Sequence, residues 1–246
     1  MSLSQLVLPG DMLSSEVYAS GSSNKSLALG PGLRSLKSST GQAPSIQSVT
    51  AGKLHHDAKK NALWIEQSGG RYLPSVGDLV VATVHHSAAD VFNCTVTSFT
   101  PFALLGQLAF EGATKKTRPN LAAGALVYAR VSKVEKWGDV ELECFNSATG
   151  KSDGMGPLKG GMTFDVSSSF ARRLMMGGGK GGVIVLEELG EKLRFEVAVG
   201  RNGVVWIDAG GVKETIAVGN VLKEVDEQSL NEEQQQKLVK KILREV

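Results

Sequence analysis

Apolar and polar residues alternate along short segments of the amino-terminal part of the chain, and this alternation predicts strands. The segment "LVLPGDML" predicts a strand followed by a turn, and the segment "SIQSVTAGKLHHDAKKNALWIEQ" predicts a hairpin. We therefore predict a β-rich amino-terminal domain over residues 1–70.

The central part of the chain contains five further short strand patterns, separated by turns rich in Gly and Asp. They are "GDLVVATVHH", "DVFNCTVT", "FALLGQL", "GALVYARVSKV" and "GDVELECF". Five short strands in this arrangement favour a Greek-key barrel of the OB type, similar to the ribosomal S-one-like barrel. We predict this barrel over residues 71–146.

The carboxy-terminal part mixes helical and strand patterns, so the predicted fold class is mainly β with an α+β carboxy-terminal part. From Met162 onward the pattern predicts strand, helix, glycine loop, short helix, strand, hairpin, strand and a helical tail. This is the element order of a KH domain, which we predict over residues 147–246. An S-x-x-E capping box at Ser229 predicts the start of a final amphipathic helix, whose apolar face is expected to pack on the KH sheet.

Two segments match the G-x-x-G tetrad with which KH domains clamp a nucleotide backbone. Gly200-Arg201-Asn202-Gly203 is flanked by strand patterns, and Asn-Gly is a strong hairpin signal, so this tetrad is predicted to be a structural turn. Gly179-Lys180-Gly181-Gly182 occupies the clamp position between two helices. This second tetrad fits an RNA contact, but it equally fits a flexible linker, because ordering so many glycines is entropically costly.

Charge and composition limit the classes of function. Lys and Arg number 27 and Asp and Glu 25, so the net charge is only +2 and RNA affinity of the chain alone is expected to be weak and salt-sensitive. No apolar run approaches the roughly 18 residues of a transmembrane helix, and the start lacks a secretory signal pattern, so we expect a soluble intracellular protein without membrane contact. Cys94 and Cys144 are expected to be buried and reduced.

The barrel segment contains the clearest candidates for nucleic-acid binding. In "FEGATKKTRPN", Lys115, Lys116 and Arg118 could contact phosphates, although a short run of charges is often only a solvated loop. Three phenylalanines, Phe92, Phe99 and Phe102, could stack bases or belong to the core. Adjacent histidines such as His85 and His86 point apart on a strand, so no metal site is predicted.

Taken together, these segments resemble the RNA-binding cap subunits of the eukaryotic RNA exosome, and within them the branch called ribosomal RNA-processing protein forty. The resemblance covers nearly the whole chain and includes "LVLPGD", "GPGL", "YLPSVGDLVVATV", "FEGATKKTRPNL", "GMGPL" and the G-x-N-G tetrad. It implies a non-catalytic subunit that binds single-stranded RNA, stabilises a ring of RNase-PH-like proteins with two other cap subunits, and guides RNA 3′ ends toward a separate nuclease. It also implies nuclear, nucleolar and cytoplasmic localisation, and no cofactor.

The same resemblance implies roles for individual residues. The family's G-x-N-G tetrad is a structural element between the OB and KH modules, which would make Gly200, Asn202, Gly203 and Trp206 buried supports. Phosphate contacts would come from basic residues of both modules, namely Lys115, Lys116, Arg118, Arg172, Arg173 and Lys180. The alternatives are a nuclease, which would need clustered carboxylates that the sequence lacks, and a free-standing RNA-binding protein of translation or mRNA metabolism.

Overall fold

The computed structural model describes residues 5–13, 27–36, 45–57, 61–66, 70–136, 138–177 and 183–243. It divides into two compact units, Met1–Gly70 and Arg71–Val246. No helix among the described residues has the length and apolar character needed to cross a membrane.

The described residues of the amino-terminal unit form two small sheets. Its strands are β1 (Gln5–Val7), β2 (Met12–Leu13), β3 (Ala28–Leu29), β4 (Leu33–Leu36), β5 (Ser45–Ser48), β6 (Gly52–Asp57) and β7 (Ala62–Glu66). The sheet orders are β1-β6-β7-β3 and β2-β5-β4. Alternate residues face a small core that includes Val7, Ile46, Leu63 and Ile65, as the period of two predicts.

The second unit begins with a five-stranded barrel. Its strands are β8 (Leu79–Ser87), β9 (Val91–Thr95), β10 (Ala103–Phe110), β11 (Leu126–Val134) and β12 (Val140–Cys144), followed by β13 (Gly156–Leu158). The sheet order is β12-β10-β9-β8-β11-β13, and pairing of β12 with β11 closes the barrel. The last strand of this sheet therefore lies beyond position 146, where the sequence pattern placed the end of the barrel.

In its described residues, the KH part combines a three-stranded sheet with four helices. Its elements are β14 (Met162–Asp165), α1 (Ser168–Met176), α2 (Val185–Gly190), β15 (Phe195–Val199), β16 (Val204–Ala209), α3 (Val212–Gln228) and α4 (Glu232–Ile242). The sheet order is β14-β16-β15, and the helices cover one face of it through a shared apolar core. The fold class and the order of the described strands and helices agree with the predictions from sequence, whereas the glycine loop with Gly179-Lys180-Gly181-Gly182 lies outside the described residues.

The final helix differs from its prediction in two respects. Its amino-terminal cap is Asn231, which forms a capping box with Gln234, whereas Ser229 ends α3 in a left-handed conformation. Helix α4 lies chiefly against α2 and α3 rather than directly on the sheet, and its Leu238 and Val239 join the apolar core that the helices share with the sheet. The fully buried Gln235 fixes this packing, because its Oε1 accepts a hydrogen bond from the backbone N–H of Ile184 at 3.1 Å.

Candidate nucleic-acid interface

The G-x-N-G tetrad lies in the hairpin between β15 and β16. The N–H of Gly203 donates to the carbonyl of Gly200 at 3.0 Å, and the N–H of Gly200 donates to the carbonyl of Val204 at 2.8 Å. Gly203 has φ of +81°, whereas Asn202 is not among the non-glycine residues with positive φ. The hairpin is thus a three-residue loop with one left-handed residue, and not the two-residue loop in which both Asn and Gly have positive φ.

Asn202 connects this hairpin to the barrel. Its Oδ1 accepts from the N–H of Val81 at 3.3 Å, and its Nδ2 donates to the carbonyls of Val81 at 2.9 Å and Val96 at 2.8 Å. Strand β9 pairs with β8 only from Thr83 to Ser87, so the backbone groups of Val81 on that edge have no partner from β9. The Asn202 amide takes the place of the missing strand, which satisfies buried backbone groups that would otherwise be unpaired.

Apolar and aromatic side chains fill the rest of the junction between barrel and KH sheet. Val81, Ala198 and Trp206 form a buried cluster. The polar groups of two aromatic side chains form hydrogen bonds there. The Tyr128 hydroxyl donates to the carbonyl of Val199 at 3.2 Å, and Trp206 Nε1 donates to the carbonyl of Gly160 at 3.0 Å. Burial raises the pKa of Tyr128, so its hydroxyl remains a donor at neutral pH.

Replacing Gly203 by valine is expected to lower the melting temperature without a selective loss of RNA affinity. Valine disfavours the positive φ at this position, and a Cβ there would lie 2.6 Å from the carbonyl oxygen of Val166. The measurement is thermal unfolding followed by RNA titration of the folded fraction. A variant that melts like the wild type but no longer binds RNA would identify the tetrad as a nucleotide clamp.

The basic loop, residues 111–120, follows β10 and exposes Lys115, Lys116 and Arg118. Thr114 and Thr117 order it: the Thr117 hydroxyl accepts from the N–H of Thr114 at 3.0 Å and lies 2.9 Å from the Thr114 hydroxyl. This loop therefore has a defined backbone, and all three cationic residues on it are exposed.

Gln107 holds Arg118 in place. The Arg118 guanidinium donates to Gln107 Oε1, and Gln107 Nε2 donates to the carbonyl of Ala88 at 3.0 Å and to Ser87 Oγ at 3.2 Å. Gln107 is itself only 7% exposed. These side chains border a shallow depression whose lining residues are Ala89, Asp90, Gly106, Gln107, Leu108, Ala109, Lys115 and Arg118.

The other predicted phosphate contacts lie elsewhere. Arg172 borders a second depression with Arg201, whose Nε lies 3.7 Å from Asp78 Oδ1. Arg173 places its guanidinium over the Phe170 ring, 5.6 Å from the centroid. Lys180 lies outside the described residues. The structure thus brings Lys115 and Arg118 to one depression and Arg172 to another.

The structure separates the three candidate phenylalanines and corrects the predicted orientation of the two histidines. Phe92 is buried in the barrel core, whereas Phe99 is 76% and Phe102 40% exposed. His85 and His86 do not point apart, because the pairing of β8 with β9 shifts register between Val84 and His86. Gln107 was also missed, although a single amide within the apolar strand "FALLGQLAF" was a usable signal.

The two cysteines have no reactive environment. Cys94 and Cys144 are free and buried, and burial raises the pKa of Cys94 to about 12 and raises that of Cys144 as well, so both thiols stay protonated. Within the described residues, no three or more His, Cys, Asp or Glu side chains form a group that could hold a metal ion.

Family models match three consecutive parts of the chain. Residues 27–71 match the "Exosome complex exonuclease Rrp40 N-terminal domain", residues 72–156 match "Exosome complex component RRP40, S1 domain", and residues 161–213 match a KH domain. The S1 match covers the barrel that bears the basic loop. The KH match includes the G-x-N-G hairpin.

Similar proteins carry the same description. Exosome complex component rrp40 of Schizosaccharomyces pombe is 34% identical over 239 residues, covering 97% of this chain and 94% of that protein. Exosome complex component RRP40 of Saccharomyces cerevisiae is 37% identical over 183 residues, covering 73% of this chain and 75% of that protein.

A solved crystal structure assigned to an exosome complex RNA-binding protein shares the fold, with a TM-score of 0.57 and 19% identity. The match covers 72% of this chain and 97% of that one. The amino-terminal, S1 and KH matches in sequence order, together with identities above 30% across most of the chain, show that this protein belongs to the exosome component RRP40 family.

Proposed function

We propose that this protein is a non-catalytic cap subunit of the RNA exosome that guides RNA 3′ ends into the central channel. Membership of the RRP40 family supports a role as an RNA-binding exosome component. The observation that carries the finer proposal is the basic loop, because an ordered backbone presents three exposed cations and Gln107 fixes one of them. Cations of this kind contact phosphates without reading sequence.

The proposal extends to partners and location. Three phosphate contacts from one loop release few counterions, so tight binding of RNA requires further surface from a complex. We propose that this surface comes from RNase-PH-like ring subunits and two other cap subunits, which the protein stabilises in turn. The corresponding locations are the nucleus, the nucleolus and the cytoplasm, where 3′ to 5′ processing and decay would occur.

Affinity purification of the tagged protein from its own cells tests this role. We expect RNase-PH-like chains to co-elute in stoichiometric amounts, and the purified chain alone to leave single-stranded RNA intact. The measurements are mass spectrometry of the eluate and a ribonuclease assay. Recovery of the protein without ring subunits would favour a free-standing RNA-binding protein, and degradation of RNA by the isolated chain would favour a nuclease.

A further inference from the structure

Three aromatic rings form an exposed cluster on the outside of the barrel. The ring cluster consists of His85, His86 and Phe102, with centroid separations of 4.6 Å for His85 and Phe102, 5.2 Å for the two histidines, and 5.8 Å for His86 and Phe102. All three residues are exposed. Contact among several exposed rings places flat aromatic surface in water, where it is available to a planar ligand.

A local irregularity of β8 creates the ring cluster. A regular strand would send His85 and His86 to opposite faces, but the register of β8 against β9 shifts between Val84 and His86. Both histidines consequently lie on the solvent side, while Val84 remains in the core. Bulges of this kind re-aim side chains and are frequent beside functional sites.

Hydrogen bonds hold the two imidazoles in fixed orientations. Asn93 Nδ2, which can only donate, lies 2.9 Å from His86 Nε2, so that nitrogen is the acceptor. In neutral His86 the proton is then on Nδ1, from which it is donated to His85 Nδ1 at 2.9 Å. The remaining proton of neutral His85 is on Nε2. The ring cluster is therefore a pre-organised surface and does not have to order its side chains on binding.

Two hydrogen bonds of the Gln107 side chain link the basic loop to the residue next to the ring cluster. Ser87 directly follows His86, and its hydroxyl accepts from Gln107, the same side chain that binds the Arg118 guanidinium. A single strand whose phosphates contact Arg118 and Lys115 would therefore have neighbouring nucleotides within reach of the rings. Grooves that bind single strands commonly combine such cations with aromatic rings on which bases stack.

We propose that His85, His86 and Phe102 form a stacking subsite for an unpaired base of single-stranded RNA, adjacent to the phosphate contacts of the basic loop. This inference rests on the proposed RNA-binding function and adds to it the part of the nucleotide that is recognised. Stacking on exposed rings tolerates any base, so the subsite contributes affinity without sequence preference.

The test compares base-bearing and abasic RNA on the assembled complex. The probes are a fluorescent single-stranded oligouridylate and the same oligonucleotide with abasic positions, titrated at pH 8 against complexes carrying the His85→Ala, Phe102→Leu double variant. We expect affinity for the base-bearing probe to fall about tenfold, with an unchanged salt slope and an unchanged affinity for the abasic probe. The control is Phe99→Leu, a second exposed phenylalanine that the sequence offered as a stacker but that lies outside the ring cluster. If stacking requires the cluster, this variant binds like the wild type.

Several outcomes would overturn the subsite. The double variant could bind the base-bearing probe as tightly as the wild type, or lose affinity equally for both probes. Phe99→Leu could also lose as much affinity as the double variant, and each of these three results would contradict the proposal. Loss of a subunit from the complex with RNA affinity intact would identify the ring cluster as a protein contact instead. If the wild-type complex does not bind RNA through this subunit, the proposed function itself fails. If the wild-type complex binds RNA and the ring variant binds it equally well, the stacking inference alone is wrong.

Discussion

Replacing Asn202 by alanine is expected to lower the melting temperature of the barrel and KH unit by roughly 10 °C. The substitution removes the three hydrogen bonds to Val81 and Val96 and leaves their buried backbone groups without partners. Leaving a buried donor or acceptor unsatisfied costs about 1–3 kcal/mol per group. A combined loss of roughly 3–5 kcal/mol corresponds to the expected shift, because each kcal/mol lowers the melting temperature of a domain of this size by about 2–4 °C.

Two further variants separate the hydrogen bonds from other effects of the substitution. Asn202→Asp keeps the shape of the side chain and one acceptor, but it loses both donated bonds and places a carboxylate against the carbonyls of Val81 and Val96, so it is expected to be at least as destabilising. Arg201→Ala changes the neighbouring side chain, whose ion pair with Asp78 is partly exposed, and a shift of a few degrees at most is expected. An Asn202→Ala protein that melts like Arg201→Ala would contradict the structural account of the tetrad.

Local sequence patterns predicted the hairpin that contains Asn202 but not the contacts of its side chain. The strands on either side of the tetrad followed from alternation and from Asn-Gly, both of which are local signals, and the hairpin is present as predicted. The contacts of Asn202 could not be derived in this way. They depend on where β9 stops pairing with β8, more than 100 positions earlier in the chain. Sequence identified the turn, and only the three-dimensional pairing identified what the turn satisfies.

The same distinction explains the histidine pair and the last helix. The rule that adjacent strand residues diverge failed at His85 and His86 because a bulge is set by pairing with the neighbouring strand. For the last helix, Ser229 and Asn231 are both good amino-terminal caps, and the preceding helix extends to Gln228 and uses Ser229 as its own end. The strand with the histidines and the last helix were both predictable from sequence. The side-chain directions in the strand depended on pairing with β9, and the start of the helix depended on where the preceding helix ends.

The phosphate contacts stay a prediction, and the structure makes them more specific. Arg172 and Arg173 are only partly exposed, and each lies beside other protein groups: Arg172 in the depression with Arg201, and Arg173 over an aromatic ring. The basic loop differs because Lys115, Lys116 and Arg118 are all exposed and sit on an ordered backbone. We therefore expect most of the salt-dependent part of RNA binding by this subunit to come from the loop.

Replacing Lys115, Lys116 and Arg118 together by alanine is expected to weaken binding of single-stranded RNA by the assembled complex and to flatten its salt dependence. Each neutralised phosphate of a single strand contributes about 0.7 to the slope of log affinity against log salt, so loss of three contacts reduces the slope by up to about two. The measurement is RNA titration at several salt concentrations between about 50 and 200 mM.

The control for this experiment removes the same charge from a different surface. Lys237, Lys240 and Lys241 are exposed on α4, and replacing these three by alanine changes the net charge equally. If the loop forms direct phosphate contacts, only the loop variant loses slope, because a general electrostatic effect of net charge would affect both variants alike. Equal losses would therefore assign the effect to the overall field of the protein. An unchanged slope in the loop variant would show that these three cations are not in contact with the RNA.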